Sequence, residues 1–461
     1  MMTNSGEIET DHAIKALDPM TVTEVIRKYL PASLAENVRI LERDIKLIRS
    51  QGATLCFRYH LHREAPSNAV RLPHYLYGKI FRKGSNNQLD ARPLVSLCAV
   101  PPAESDRPAY LPELDMLIWI FPSDPALSQL AHLCDANRVP GLIPDQAIGQ
   151  DVGGERCASR ITFDPISYHP ENRCTIRYTV RRDRQSDRII YGKTFSDDRG
   201  RDVYGLLKTL WRWSQEAPEA FLIPYPYAYD ETVKTIWQQG LTGKPLLAII
   251  NPDNYQDYVR NAAKSLAHLH RSSLPLPPSP ELNLRLDRLK EQALRIAHTL
   301  PTVKEALISL IEDLDPPPVG LAQSPRTPVH GSFRLDEILS CDDRLGLSDF
   351  DNCCIGDPFE DCAYFLTDLH FCSLDPVLLK QVAATFYHTY QSQLDNAVIA
   401  DHLTWHYQFR LLQKIRWIYQ KQSVKPGTER RMLKVIGLAK QASAFIAALR
   451  NAEPSRLDRG C

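Results

Sequence analysis

The chain has 461 residues, of which 43% are hydrophobic and 24% are charged, as in globular proteins with a sizeable core. Basic and acidic residues both number 55, so the net charge is zero and favours neither a nucleic-acid partner nor an anionic membrane surface. Eleven cysteines without a Cys-x-x-Cys pair predict neither a disulfide framework nor a zinc site.

The first ten residues are polar and lack the apolar region of a signal peptide. No stretch approaches 18 consecutive apolar residues, the length of a membrane-spanning helix. We therefore expect a cytoplasmic, reducing location and no membrane or nucleic-acid partner.

Two stretches in the first half of the chain repeat one pattern. Residues 52–59 read G-A-T-L-C-F-R-Y, and Y-L-Y-G-K-I-F follows at 75–81. Residues 172–178 read N-R-C-T-I-R-Y, and I-I-Y-G-K-T-F follows at 189–195. Apolar and polar residues alternate in all four segments, which predicts antiparallel strands.

Matched residues in the two stretches keep similar separations of 119, 114 and 118 positions: Arg58 and Arg177, Tyr77 and Tyr191, and Trp119 and Trp237. We interpret residues 35–145 and 156–246 as two copies of one β-rich unit. Coincidence is the alternative, because each matched segment is short.

After Gly240 the periodicity becomes helical. Helices are predicted over 254–271, 287–299 and 302–314, and a helical region over 375–448 with a break near Pro426. A strand-like run, L-G-L-S-D-F, begins at Leu345 between them. The sequence thus predicts β-rich units followed by a helical half.

Carboxylates are dense between Val329 and Leu366. Asp349 and Asp351 flank Phe350 directly after the apolar run. A carboxylate at the end of a strand is a suitable ligand for a hard cation such as Mg²⁺. An acidic surface turn explains the spacing equally well.

The order of the motifs in this segment resembles the catalytic core of the aminoglycoside phosphotransferase family, which has a protein-kinase-like fold. The matching residues are His330-Gly331, Asp349-Phe350-Asp351, Gly356-Asp357-Pro358 and Asp361-Cys362-Ala363. Upstream, the L-A-H-L-H run at 266–270 is similar to the family's L-A-x-L-H. The resemblance extends over about 156–420.

The resemblance implies an α+β, two-lobed fold. A β-rich N-lobe at 156–246 would bind the nucleotide, and a helical C-lobe at 247–461 would carry the catalytic and metal loops. An N-terminal extension at 1–150, with a degenerate copy of the N-lobe, would precede them. ATP and Mg²⁺ are the implied cofactors, with ATP between the lobes.

The family's roles carry over residue by residue. Asp349 would hold Mg²⁺, and three other carboxylates would brace the loop: Asp351, Asp357 and Asp361. Lys193 resembles the strand lysine that contacts the α- and β-phosphates, although a strand lysine facing water is the alternative. Arg173 ends a turn, 169–173, that resembles the nucleotide-positioning loop but lacks glycines. The equivalent Lys79 of the first copy is interpreted as structural.

Two departures from the family pattern fall in the catalytic loop that begins at His330. Ser332 replaces the catalytic aspartate, and a hydroxyl is a poor general base, a role that contributes about 10²–10⁴-fold in rate. Glu337 replaces the Asn or Gln metal ligand but still offers oxygens. Arg334 is a candidate contact for the transferred phosphoryl group, with a solvated loop arginine as the alternative.

Two functions follow from these observations. The first is an ATP-dependent phosphotransferase that acts on a hydroxyl of a small molecule. The second is a pseudokinase, catalytically weak or inactive, that senses nucleotide or acts as a scaffold for a protein partner.

Basic residues are frequent from Lys414 to Lys434. We interpret them as a solvated helical face, with an anion-binding patch as the alternative.

Overall fold

The structure is a computed structural model. It describes residues 15–29, 38–40, 45–51, 54–63, 74–81, 109–149, 160–182, 186–217, 219–342, 344–394, 400–422 and 427–452. The polar N-terminal ten residues and Gly52 lie outside the described residues. The chain forms two compact units, the first of 1–202, 227–240 and 420–426 and the second of 203–226, 241–419 and 427–461.

The first unit is built mainly of strands. Its elements are α1 (Pro19–Tyr29), β1 (Val38–Arg39), β2 (Ile45–Gln51), β3 (Thr54–Arg63), β4 (His74–Phe81), β5 (Ala109–Leu111), β6 (Met116–Ile120), α2 (Leu130–Leu133), α3 (Val139–Leu142), α4 (Asp145–Ile148), β7 (Arg160–His169), β8 (Arg173–Arg181), β9 (Arg188–Phe195), β10 (Pro226–Asp230) and β11 (Thr235–Gln239). One sheet has the order β1-β3-β4-β6-β5, with β2 also paired to β3. A second sheet has the order β10-β11-β9-β8-β7.

The two sheets contain the repeated hairpin that the sequence predicts. Arg58 lies opposite Tyr77 in the antiparallel pair β3–β4, and Arg177 lies opposite Tyr191 in β8–β9. The hairpins therefore share their register as well as their residues. The extra β unit ahead of the second sheet is part of the fold.

The tryptophans of the two copies differ in register by one residue. Trp119 lies opposite Tyr77, whereas Trp237 lies opposite Gly192. A Cβ at Gly192 would approach the Trp237 ring to 3.2 Å, so the glycine provides the space that this ring occupies. The two copies thus share a tryptophan in this strand, but the two tryptophans do not occupy equivalent positions in the sheets.

Aromatic residues from both sheets meet in one shared core. The Tyr168 ring of the second sheet lies 5.9 Å from Tyr75 and 5.1 Å from Phe121, both of the first copy. On the second sheet, Tyr178 packs against Trp237 with ring centroids 5.3 Å apart. The two copies thus pack against each other through this shared core, while the first sheet packs a second apolar cluster against α1.

The buried carboxylate of Asp124 connects the two copies. Asp124, which follows β6, accepts hydrogen bonds from the Tyr168 hydroxyl at 2.7 Å and from the Glu171 backbone N–H at 2.9 Å. It also accepts from the amides of Ala126 and Leu127, at 2.8 Å and 3.0 Å. Burial raises the pKa of Asp124, although these hydrogen bonds oppose the rise. The turn at 169–173 is thereby attached to the first copy.

The second unit is mainly helical. Helix α5 (Arg199–Glu216) begins in the first unit and continues into the second. The other elements are β12 (Lys244–Pro245), α6 (Leu246–Ile249), α7 (Tyr255–Arg271), α8 (Leu282–Thr299), α9 (Pro301–Leu314), β13 (Thr327–Val329), β14 (Ile338–Cys341), β15 (Arg344–Leu347), β16 (Cys354–Gly356), α10 (Phe359–Asp368), α11 (Pro376–Gln391), α12 (Ala400–Gln422), α13 (Thr428–Lys440) and α14 (Ala442–Asn451). Two small sheets have the orders β12-β14-β15 and β13-β16.

The helices of this unit form around one apolar core. Helix α7 buries one face at helical spacing, including Val259, Ala263 and Leu266, and packs against α11. Helix α11 begins with a side-chain cap, since the Asp375 carboxylate accepts from the Val377 N–H at 2.8 Å and Pro376, which has no N–H, needs no acceptor. The helices predicted over the chain's second half are confirmed, and 375–448 contains four of them.

The chain has the predicted α+β fold, with β-sheets ahead of a helical part. The predicted boundaries at 1–150, 156–246 and 247–461 stay predictions. Eight cysteines have described positions, and all eight are free thiols. Over the described residues, no single helix meets the length and hydropathy of a membrane span, although the bent pair α13 and α14 meets them together.

The Asp124 contact predicts a stability difference between two tyrosines. Tyr168→Phe should lower the free energy of unfolding of the first unit by about 1–3 kcal/mol, because it removes a buried donor from Asp124. Tyr110→Phe is the control, since its 2.6 Å bond to Asp115 is exposed and its loss should change stability by less than about 0.5 kcal/mol. Urea unfolding measures both changes, and hydrogen exchange at β7 and β8 assigns the loss to this unit. Equal effects of the two substitutions would contradict this account.

Candidate active site

The candidate catalytic loop begins where β13 ends. Strand β13 pairs with β16, with Val329 opposite Cys354, so the residues after Val329 lie beside those before Cys354. Gly331 has a φ of +77°, and a Cβ there would lie 2.5 Å from the Asn352 carbonyl oxygen. Only glycine fits both the backbone angle and this close approach.

The buried carboxylate of Asp361 holds this loop in place. Its Oδ2 accepts from the His330 backbone N–H and its Oδ1 from the Gly331 N–H, each at 2.7 Å. Its Oδ2 also lies 3.1 Å from His270 Nε2, while His270 Nδ1 lies 2.6 Å from the Tyr390 hydroxyl. Asp361 thus connects α7, α10 and the start of the catalytic loop.

Burial of Asp361 and its hydrogen bonds act in opposite directions on its pKa. The carboxylate is completely buried, and burial alone raises its pKa. The hydrogen bond and charge of His270, and the contacts to His330, lower it, and the net pKa is below the usual value. The carboxylate is therefore ionised, as an acceptor of two backbone N–H groups must be.

The side chain of His330 is also completely buried. Its Nε2 lies 2.9 Å from the Ser348 carbonyl, so Nε2 carries the proton and donates it. The ring packs edge-on against Phe350 at 5.2 Å. His330 therefore fixes the loop relative to the strand β15 that leads to Asp349.

Ser332 occupies the position where the related family has its aspartate. Its Oγ lies 3.5 Å from His330 Nδ1 and 3.5 Å from the Asp349 carbonyl oxygen. The residue is 5% exposed, so it lies at the base of the loop. Ser332 and the backbone of Asp349 are therefore neighbours in the structure.

Glu337 and Arg334 form an ion pair three residues apart. Arg334 Nη2 donates to Glu337 Oε1 at 2.6 Å, and the Ser348 hydroxyl donates to Oε2 at 2.7 Å. Burial lowers the pKa of Arg334, but the hydrogen bond to Glu337 and the charge of Glu337 together raise it by more. The net shift of the pKa is therefore upward. Both carboxylate oxygens of Glu337 thus have a hydrogen-bond donor in this structure.

Asp349 follows β15 in a left-handed conformation, with a φ of +60°. It precedes a short 3₁₀ helix, Phe350–Asn352, that contains the partly exposed Asp351. Within the described ranges, no group of three or more His, Cys, Asp or Glu side chains has the spacing of a metal centre. Mg²⁺ is commonly held by one or two carboxylates together with substrate phosphates, and Asp349 fits that requirement.

Asp357 stabilises the start of α10. Its Oδ1 accepts from the Phe359 N–H at 2.9 Å, and its Oδ2 lies 3.3 Å from His406 Nε2 on α12. Burial raises the pKa of Asp357, but the His406 contact and the backbone bond lower it to below the usual value. Asp357 therefore connects α10 to α12.

Lys193 and Arg173 belong to the first unit. Lys193 is on β9, where it alternates with the buried residues Ile190, Gly192 and Thr194, so it lies on the opposite face from the core. Arg173 begins β8 and pairs with Phe195.

The turn between β7 and β8 is held by charged residues of the first copy. Glu171 has a φ of +57°, and its carboxylate pairs with Lys79. Lys79 Nζ also lies 5.8 Å from the rings of both Tyr77 and Trp119. Arg58 donates to the Tyr168 carbonyl oxygen. Lys79 thus has a structural position, as interpreted from the sequence.

Sequence reasoning missed two residues of this arrangement. His270 is the last residue of the L-A-H-L-H run, and its spacing indicated a motif without indicating its contact with Asp361. Asp124 lies in a segment without a motif, and no signal in the sequence indicated its role.

The loop braced by the buried Asp361 thus lies beside an Asp-Phe-Asp turn whose first residue, Asp349, is left-handed. Residues 212–395 match the model of the phosphotransferase enzyme family. The resemblance drawn from the motifs is therefore confirmed over this part of the chain.

Several solved structures are similar to this chain. Choline kinase from Cryptosporidium parvum is 14% identical, with 68% of this chain and 97% of that chain covered and a TM-score of 0.45. Spectinomycin phosphotransferase bound to ADP and spectinomycin is 11% identical, with 64% and 94% covered and a TM-score of 0.43. An aminoglycoside phosphotransferase from Streptomyces rimosus is 16% identical, with 54% and 92% covered and a TM-score of 0.39. No curated protein matches the chain.

Asp361→Asn should destabilise the second unit by about 3 kcal/mol. The substitution replaces one carboxylate oxygen by an NH₂ group, which would face an N–H donor of the loop, and it removes the negative charge beside His270. Urea unfolding at pH 7 measures this loss. Asp342→Asn is the control, since Asp342 is exposed and asparagine tolerates its φ of +42°.

The stability difference between wild type and Asp361→Asn also depends on pH. The pKa of Asp361 is lower in the folded chain, so its stabilisation is present above the unfolded pKa of about 3.9 and is lost as the pH falls through the folded value. The difference between wild type and Asp361→Asn should therefore decrease only below about pH 4. A difference that decreases between pH 7 and pH 5 would contradict the assignment.

Proposed function

We propose that the protein is an ATP-dependent phosphotransferase that transfers the γ-phosphoryl group to a hydroxyl of a small molecule. The observation that carries the proposal is the Asp361-braced loop, which holds Ser332 3.5 Å from the Asp349 backbone within the family-matched segment. In the reaction, the acceptor oxygen bonds to the γ-phosphorus, the bond to the leaving ADP breaks and the acceptor proton passes to a phosphoryl oxygen.

Asp349 is the residue that would hold Mg²⁺. The ion, when bound, neutralises charge on the transferred phosphoryl group. Lys193 and Arg173 would contact the nucleotide phosphates. His330 acts as a positioning residue in this proposal, because its buried ring contacts the loop and not solvent.

Ser332 would orient the acceptor hydroxyl without acting as a base. A hydroxyl can donate and accept a hydrogen bond, but it does not hold a proton taken from another alcohol at neutral pH. Phosphoryl transfer depends largely on positioning and electrostatics, so turnover without a strong base is slow but feasible. Arg334 supplies positive charge beside this position.

Glu337 would join Asp349 as a metal ligand only after releasing Arg334. The released Arg334 would then be available for a phosphoryl oxygen. The ion pair therefore represents the site before nucleotide binding in this proposal.

A second candidate function is a pseudokinase that binds nucleotide or a protein partner without transfer. The observation that favours it is the same Arg334–Glu337 pair, which engages the residue proposed as the second metal ligand, together with the serine at 332. A nucleotide-binding measurement and a turnover measurement separate the two candidates.

Mg-ATP should raise the thermal stability of the wild-type protein. A ligand that binds only the folded state adds about 2.7 kcal/mol at a concentration 100 times its dissociation constant. The increase should require Mg²⁺ and disappear in Asp349→Ala, while Asp342→Ala, an exposed substitution, should retain it. No increase at millimolar Mg-ATP would exclude the enzyme proposal and leave a scaffold.

Ser332→Asp should increase Mg-ATP turnover by about 10²–10⁴-fold, because it restores a general base at a position that is otherwise intact. Release of ADP measures turnover, and Ser340→Asp, on the nearby strand β14, controls for added charge. Turnover equal to that of the wild type would show that more than the base is missing and would favour the pseudokinase.

A further inference from the structure

A cavity of about 330 Å³ lies within the second unit, next to the catalytic loop. Gly331 and Asn352 form one side of it, and α10 and α12 contribute Glu360, Tyr364, Arg410 and Gln413. Gly331 directly precedes Ser332, so the cavity lies beside the loop that carries the residue proposed to orient an acceptor hydroxyl. Its volume suits a small molecule.

Two arginines line this cavity, and only one has a carboxylate partner. Arg285 forms two hydrogen bonds of 2.7 Å to the Glu360 carboxylate, and its charge is compensated. Arg410 Nη1 donates to the neutral Gln413 side chain at 3.0 Å, and its guanidinium lies 3.6 Å from the centroid of the Tyr364 ring. Among the residues that the structure describes, no carboxylate lies within ion-pair distance of Arg410.

Other cations surround Arg410. Burial lowers its pKa, and the charges of Arg334 and Arg416 act in the same direction. Lys414, one turn along α12, also has a lowered pKa, first because of burial and then because of Arg410 and Arg334. Asp368 is the acidic residue whose charge opposes these effects on both side chains.

The cluster corrects part of the sequence interpretation of α12. Lys414 and Arg416 were expected on a solvated face, but both are partly buried. Lys414 Nζ lies 4.3 Å from the Phe371 ring, and Arg416 donates to Gln292 at 3.2 Å. For these two residues the solvated face is therefore wrong in part, and the alternative interpretation, an anion-binding patch, stays open.

An arginine without a carboxylate partner, in a partly buried position and facing a cavity, is suited to receive an anion. Desolvation of a charge is unfavourable unless an opposite charge compensates it. The planar guanidinium, held flat on Tyr364, presents its remaining N–H groups in the geometry that matches carboxylate or phosphate oxygens.

We propose that this cavity binds the acceptor, and that the acceptor is a small hydroxylated molecule whose carboxylate or phosphate group pairs with Arg410. The proposal rests on the phosphotransferase function proposed above. It distinguishes this chain from a kinase whose acceptor is a cation, because Arg410 would repel a cationic acceptor in the cavity.

Calorimetric titration of the full chain with three probes of one carbon skeleton tests the proposal. Glycerate carries a carboxylate, glycerol 3-phosphate a phosphate, and glycerol no charge. At least one anion should bind about tenfold or more tightly than glycerol, as expected for a charge-assisted contact, and the stronger of the two identifies the anionic group.

Three variants assign the binding to Arg410. Arg410→Gln should remove the preference for the anions, and Arg410→Lys should retain part of it, which separates loss of charge from loss of folding. Arg416→Gln is the matched control, since Arg416 lies on the same helix, bonds to Gln292 and does not line the cavity. Arg416→Gln should retain most of the anion preference, since it removes a neighbouring charge but no group that lines the cavity.

The outcomes that overturn the proposal are distinct. An anion site at Arg410 would be excluded by any of three results. These are equal affinity for glycerol and both anions, no binding of either anion, and an anion preference that Arg410→Gln retains. Competition between ADP and the anions would assign the cavity to the nucleotide and not to an acceptor. Binding of Mg-ATP, measured separately, should be unchanged in Arg410→Gln. If the wild-type protein binds the anions but does not bind Mg-ATP, the proposed phosphotransferase function fails, and the cavity is then an anion site without a role as an acceptor pocket.

Discussion

The arrangement of the candidate site depends on one buried carboxylate. Asp361 accepts the backbone N–H groups of both His330 and Gly331 and also contacts His270, so three separate elements meet at a single anion. Burying that charge is unfavourable, and the donors around it must all be present for the fold to be stable. The position of Ser332 relative to Asp349 is a consequence of this constraint. A substitution that preserves the shape of Asp361 but not its charge should therefore disturb residues that it does not touch.

The first unit shows the same principle in a different setting. A duplicated hairpin is packed against its copy, and the buried Asp124 connects them through Tyr168 and Glu171. In this chain the turn from 169 to 173 has no glycines, and side chains of the neighbouring copy hold it instead. The absence of glycine from that turn and the presence of an additional β-sheet are therefore physically connected, because the first copy supplies the contacts that hold the turn.

Much of this could be predicted from residues that are close in sequence. The hairpins followed from alternation, and α7 from its helical periodicity, because both patterns reflect local burial. The motif string from His330 to Asp361 indicated the site, since its spacing encodes the loop. The contacts of Asp124 with Tyr168 and of His270 with Asp361 join residues 44 and 91 positions apart, and no local pattern encodes such a pairing.

Which arginine side chains have a partner of opposite charge could not be predicted from the sequence either. Arg334 and Arg410 have the same residue type, but one has a glutamate partner and the other has an amide and an aromatic ring. The difference arises from the packing of α10 and α12, which brings Tyr364 under Arg410. Only the folded structure distinguishes the arginine that neutralises a loop glutamate from the one that faces a cavity.

The central claim is that Asp349, placed by the Asp361-braced loop, holds a divalent ion together with a nucleotide. Electron paramagnetic resonance of Mn²⁺ in place of Mg²⁺ measures this directly, because the signal of the free hydrated ion decreases when it is bound. With ADP present, wild-type protein should reduce the free Mn²⁺ signal below that of ADP alone, and Asp349→Asn should not. An equal reduction by both proteins would contradict the account, since the ion would then be held elsewhere.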